Sequence, residues 1–177
     1  MEIPFINLKI YEGTYVTSRY TVDSSDVSQR FLLTDNRADT TTLTVKVQNS
    51  STDTTTTTYI RATDITQLTG TSEVYFLQEV ETGKFEVYFG DGVVSKSISD
   101  GNIVLLQYVV TNKILANGAA SFSSSGAIDG VTDITVTTVN SATGGAEAES
   151  LNSIKLAAPL DYASQGRCVT SEDYKVF

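Results

Sequence analysis

Residues 72–110 read SEVYFLQEVETGKFEVYFGDGVVSKSISDGNIVLLQYVV, and this stretch decides the fold. Glu73–Val80 and Lys84–Phe89 both carry the β-branched and aromatic residues that suit a pleated, half-buried surface. Glu81-Thr82-Gly83 between them fits a short hairpin loop, with glycine where positive φ is needed. Gly90-Asp91-Gly92 follows as a tight structural turn, because glycine reaches backbone angles closed to other residues and aspartate can bond its own backbone. Asp100-Gly101 marks a further turn. From Asn102 to Val110, Ile103, Leu105, Gln107 and Val109 alternate with Val104, Leu106, Tyr108 and Val110. Both sets are largely apolar, so this strand is expected in the middle of a sandwich or barrel.

Toward the N-terminus the same period of two recurs over Thr14–Val22 and, more cleanly, over Thr41–Val47, where Leu43, Val45 and Val47 share one face. Phe31–Asp39 between them reads as a strand end and loop. Asn49–Thr58, NSSTDTTTTT, holds no apolar residue and is expected to be an exposed loop. Thr57–Ala62 begins the next ordered segment, and Ile65 and Leu68 suggest a short turn packed on the core.

Toward the C-terminus the strand pattern resumes once, at Ile134–Val139, and Gly144-Gly145 suggests a boundary. Beyond it Ala148, Leu151, Ile154 and Ala158 fall at helical spacing and form a candidate packing face, with Pro159 expected to end the helix. Thr170-Ser-Glu-Asp173 resembles a capping box, and the sequence stops about one turn into the helix it would open. The chain therefore reads as an excerpt of a longer protein. The expected fold is mainly β: an antiparallel sandwich or barrel-like domain over 1–145, then a short helical segment over 146–177 that begins an α/β region. The helical stripe is too short to stand alone, so residues after about Gly145 are expected to be less ordered than the β domain or held by a neighbouring molecule.

Composition removes most chemistries. The 177 residues include no His and one Cys, so His-based hydrolysis, His-ligated zinc, an internal disulfide and a thiolate cluster are excluded. A net charge of −9, with no stripe of Lys and Arg, speaks against nucleic acid and anionic membrane surfaces as partners. The N-terminus MEIPFINLKIYEG does not resemble a secretory signal, and no apolar run approaches the length of a membrane span. Gly90-Asp91-Gly92 lacks the succession of oxygen ligands of an EF-hand. Glu73, Glu79, Glu81 and Glu86 could pair as a glycosidase does, but exposed strand faces produce such pairs routinely. Tyr75, Tyr88 and Tyr108 suit a core or rim better than a stacking platform, and Cys168 reads as a small buried apolar residue. No catalytic, metal or cofactor site emerges.

The order of several motifs resembles the baseplate wedge subunits of contractile-tailed bacteriophages, related to the baseplate J-like proteins. The matching pieces are FEVYFGDG at 85–92, DGNIVLLQYVVTN at 100–112, ANGAASF at 116–122, GGAEAE at 144–149 and RCVTSEDYKVF at 167–177. Ser95, Ile98 and Lys113 depart from the Gly, Pro and Gly common in relatives. The resemblance implies a non-enzymatic structural subunit without cofactor. It would assemble with copies of itself and other wedge proteins into a virion baseplate ring that rearranges on tail contraction, built in the host cytoplasm. The isolated piece could stand as a monomer. The rival reading is a carbohydrate-binding β-sandwich of an adhesin that uses exposed tyrosines.

Overall fold

The computed structural model describes residues 8–26, 28–80 and 83–164. Seven strands form one sheet: β1 (Thr14–Thr21), β2 (Phe31–Leu32), β3 (Ala38–Gln48), β4 (Thr56–Arg61), β5 (Val74–Glu79), β6 (Phe85–Tyr88) and β7 (Ile103–Val110). Their spatial order is β1-β7-β3-β4-β5-β6-β2. β7 lies between β1 and β3, an interior place as its two apolar faces predict although second from one end of the order, and β5 and β6 form the antiparallel pair read from residues 73–89.

The sheet curls until its ends meet. Tyr20 on β1 donates its hydroxyl to the Leu32 carbonyl of β2 at 2.6 Å, and its ring lies 5.7 Å from that of Phe31. The result is a nearly closed barrel. Its interior is filled by Phe31, Leu33, Val45, Val87, Val104, Leu106 and Tyr108, all essentially inaccessible to solvent. On β7 it is the set Val104, Leu106, Tyr108 and Val110 that points inward, while Leu105, Gln107 and Val109 are half-buried. Aromatic edges lock one side of this core, with Phe89 packing T-shaped against both Phe31 and Tyr59.

Tyr108 brings a hydroxyl into the core, and Thr34 answers it. The Thr34 N–H donates to the phenolic oxygen at 3.2 Å, and the Thr34 hydroxyl lies at the same distance. The buried polar atom is therefore paired rather than orphaned.

Several expectations need correction. The sheet is not wholly antiparallel: β4 and β5 run parallel over Ile60–Val74 and Arg61–Tyr75, because the chain crosses over through the 3-10 turn Ile65–Gln67 instead of a hairpin. That turn is not packed on the core, since Ile65 is 64% exposed and Leu68 half-buried. The threonine tract is a loop only as far as Thr55; Thr56–Thr58 already pair with β3, as suits a β-branched residue.

The segment Ile134–Val139 forms no strand, although its sequence is strand-like. A strand exists only against a neighbour, and this one has none among the described residues. The helix α1 runs Leu151–Ser164 and passes through Pro159 instead of ending there. Its start is set by Ser150, whose Oγ accepts from the Ser153 N–H at 3.2 Å while its carbonyl accepts from Ile154, so Ala148 lies ahead of the helix. Glu81, Cys168 and Thr170–Asp173 lie outside the described residues.

Candidate functional site

The turn at Gly90-Asp91-Gly92 is built by three mutually dependent contacts. Gly92 has φ +90°, a region L side chains rarely adopt, and its N–H donates to the Ser95 carbonyl at 2.9 Å. Asp91 accepts from the Val93 N–H at 2.9 Å, which holds its carboxyl below the usual carboxylate range. Gly90 faces the buried Ser95 side chain so closely that a Cβ there would overlap Ser95 Oγ. Gly70, unremarked in the sequence, likewise leaves no room for a Cβ against the Gly92 carbonyl. The turn is stitched to the start of β5 by the Lys96 N–H on the Ser72 carbonyl and by a 2.7 Å Lys96–Glu73 ion pair.

Beside the turn is a half-open recess of about 260 Å³ whose lining includes Asp23, Asp26, Asp91, Gln29 and Phe89. Its carboxylates are already engaged. Asp23 accepts from Ser25, Asp26 from the Ser28 N–H and Asp91 from Val93. No group of three or more His, Cys, Asp or Glu among the described residues is placed to hold a metal ion.

The same device recurs along the chain. Asp35, Asp53 and Asp64 also accept from the N–H two residues on, each clasping its own loop, and Asp39 does so in the irregular first part of β3. Much of the acidic surplus thus ties turns rather than forming a charged binding face. The carboxyls of Asp23, Asp35, Asp53 and Asp64 are held down by the Ser25 hydroxyl, the Arg37 guanidinium, the Asn49 amide and the Thr66 hydroxyl respectively. A depressed folded value contributes stability above the ordinary Asp pKa and loses it as pH falls through the folded value. Acidification through and below about pH 4 is therefore expected to loosen these loops. Carboxyl-carbon titration by NMR checks this, and midpoints at or above the ordinary Asp value would contradict it. Burial raises Tyr20, Tyr59 and Tyr75 instead, so their contribution is present below about pH 10 and lost as pH rises through the folded values.

The remaining candidates are scattered. Tyr75 and Tyr108 are buried in the barrel, and Tyr88 lies stacked on Phe76 under the Arg30 guanidinium, 4.0 Å from its ring centre. These three offer sugars no platform. Glu73 is engaged by Lys96, and Glu86 faces Arg30 at 3.8 Å. Leu151, Ile154 and Ala158 are exposed, as is every side chain described on α1, and apolar residues surround the helix instead of forming one face: Leu156 is 74% and Tyr162 87% exposed. No helix among the described residues is long and apolar enough to cross a membrane.

Residues 18–120, which take in the barrel from within β1 to just past β7, match the family model of the bacteriophage baseplate wedge protein gp6, third domain. The chain belongs to the baseplate wedge protein gp6 family. Baseplate wedge protein gp6 of Enterobacteria phage T4 is 31% identical over a 132-residue alignment that takes in 60% of this chain. That alignment covers 20% of the T4 protein, so the chain spans about a fifth of the length of the relative it matches. The match gives the barrel a place in a gp6-type protein without drawing on the recess, the paired carboxylates or the tyrosines.

Proposed function

We propose that this chain is a structural piece of a phage tail baseplate wedge, meeting copies of itself and other wedge proteins in a ring that rearranges when the tail contracts. The observation that carries this reading is the family match across the barrel. The absence of His from the sequence and the engagement of the recess carboxylates within their own loops agree with a role that needs no catalysis. The same reading puts the protein in the virion tail, assembled in the cytoplasm of the bacterial host. It divides the chain near Gly145, the barrel and its loops over 1–145 being a domain and 146–177 the opening of the next.

The test is genetic and visual. Deleting the coding region from the phage is expected to give lysates whose tails lack complete baseplates in electron micrographs, with the chain found in wild-type tails by mass spectrometry. Intact, infectious particles without it would overturn the proposal. For catalysis, a hydrolase screen on folded protein is expected to show no turnover; turnover abolished by one carboxylate substitution would overturn that part.

A further inference from the structure

Among the described residues, one edge of the barrel sheet is open and one strand-like segment has no sheet. The Val22 N–H donates to the Asn102 carbonyl at 2.9 Å, and these residues continue the β1–β7 register. Bonded pairs alternate along an antiparallel ladder, so Thr14, Val16, Ser18 and Tyr20 bond to β7 while the N–H and C=O groups of Tyr15, Thr17 and Arg19 point to the outer side. β2, two residues long, reaches β1 at Tyr20, and the Thr21 carbonyl accepts from the Gln29 side chain at 3.2 Å. No described residue hydrogen-bonds to the outward groups of Tyr15, Thr17 or Arg19.

The unpaired segment sits on an arm. The Ala142 N–H donates to the Ala119 carbonyl and the Gly118 N–H to the Ala142 carbonyl, both at 2.8 Å. The Asn117 side chain clasps the Gly145 backbone through both its oxygen and its nitrogen. These bonds close the base of the excursion 120–141. Within it, 133–138 reads Asp-Ile-Thr-Val-Thr-Thr, alternating and β-branched, yet it forms no strand with any described residue, its own β1 included.

We propose that the arm of one copy adds 133–138 as an antiparallel strand to the open edge of β1 on a second copy. The register follows from the side chains. Setting Thr135 opposite Thr17 puts Asp133 opposite Arg19 and Thr137 opposite Tyr15, all bonded pairs on the outward face. Ile134 and Val136 then extend the inward-facing row of Val16, Ser18 and Tyr20, which is half-buried at present. A one-residue slip would expose both apolar side chains and separate the charges. Arg19 and Asp133 make no ion pair among the described residues, so each is available to the other. The inference deepens the assembly reading and rests on its claim that copies of the chain meet.

The 177-residue chain tests it directly by hydrogen exchange and sedimentation over a range of concentrations. The amides of Tyr15, Thr17, Arg19, Thr135 and Thr137 are expected to gain about tenfold or more protection as the chain associates. Thr135→Pro removes a ladder donor whose N–H bonds to no described residue, and it is expected to abolish both that protection and the association. Arg19→Asp is expected to weaken association, and adding Asp133→Arg to restore it. Edge amides that exchange freely at every concentration would overturn the proposal, as would protection independent of concentration, which would mean the edge is closed within one chain. Because these readouts use the chain alone, their failure leaves the wedge reading to its own test in tail morphology.

Discussion

Tyr108→Ala is expected to lower the stability of the barrel by about 4 kcal/mol, the range for deleting a buried aromatic from a close-packed interior. Tyr108 is fully buried on β7, where β1 and β3 flank it and Thr34 meets its hydroxyl. Removing the ring empties the middle of the core and leaves the Thr34 N–H facing a void. Tyr108→Phe keeps the ring and deletes the hydroxyl, so it should cost only about 1 kcal/mol. Urea unfolding of both variants separates the contributions. A loss below about 1 kcal/mol for Tyr108→Ala would show that the core does not depend on this residue.

The second large effect is expected at the glycine turn. Gly92→Val should cost about 1–3 kcal/mol, because a β-branched side chain at φ +90° is strained even though a Cβ there would meet Ser97 only at ordinary contact distance. Gly92→Asn should cost less, since Asn tolerates positive φ better. Gly90→Val acts differently: its side chain would drive into Ser95, which has no solvent to retreat into, and an overpacking cost of about 1–3 kcal/mol is expected. Melting temperatures of the three variants are the measurement. If Gly92→Val melts with the wild type, the turn does not constrain the fold, and equal losses for Gly92→Val and Gly92→Asn would assign the cost to something other than backbone conformation.

The strands were legible where one face is buried, since Val45, Val47, Val104 and Leu106 fall at alternating positions that both the pleat and the core require. The choice of a barrel over a sandwich was not. It depends on Tyr20 reaching Leu32 across the seam, a contact with no local pattern in sequence. The parallel pairing of β4 and β5 was hidden for the same reason, because periodicity reports a face and never a neighbour. Ile134–Val139 shows the converse, a local preference that the described tertiary structure does not use. At the glycine turn, Gly90-Asp91-Gly92 stood out as a motif, but the need for Gly70 could be seen only once two distant loops were brought together. The start of α1 did have a signal: Ser150 is a good N-cap residue, and it outranks the apolar spacing that drew in Ala148.

The place of β7 in the sheet governs the order in which the barrel can be made. β3 with β4, and β5 with β6, are local pairs that can form as soon as each is synthesised. β1 precedes the other six barrel strands, yet its described partner is β7, and the opposing ends Thr14 and Val110 are far apart in the chain. β1 must therefore wait for that partner until nearly the whole barrel sequence has emerged. Closing that long loop makes the last step slow and leaves β1 open to other strands in the meantime. Synthesis of a chain cut short before β7 should accordingly yield aggregated protein rather than a smaller barrel.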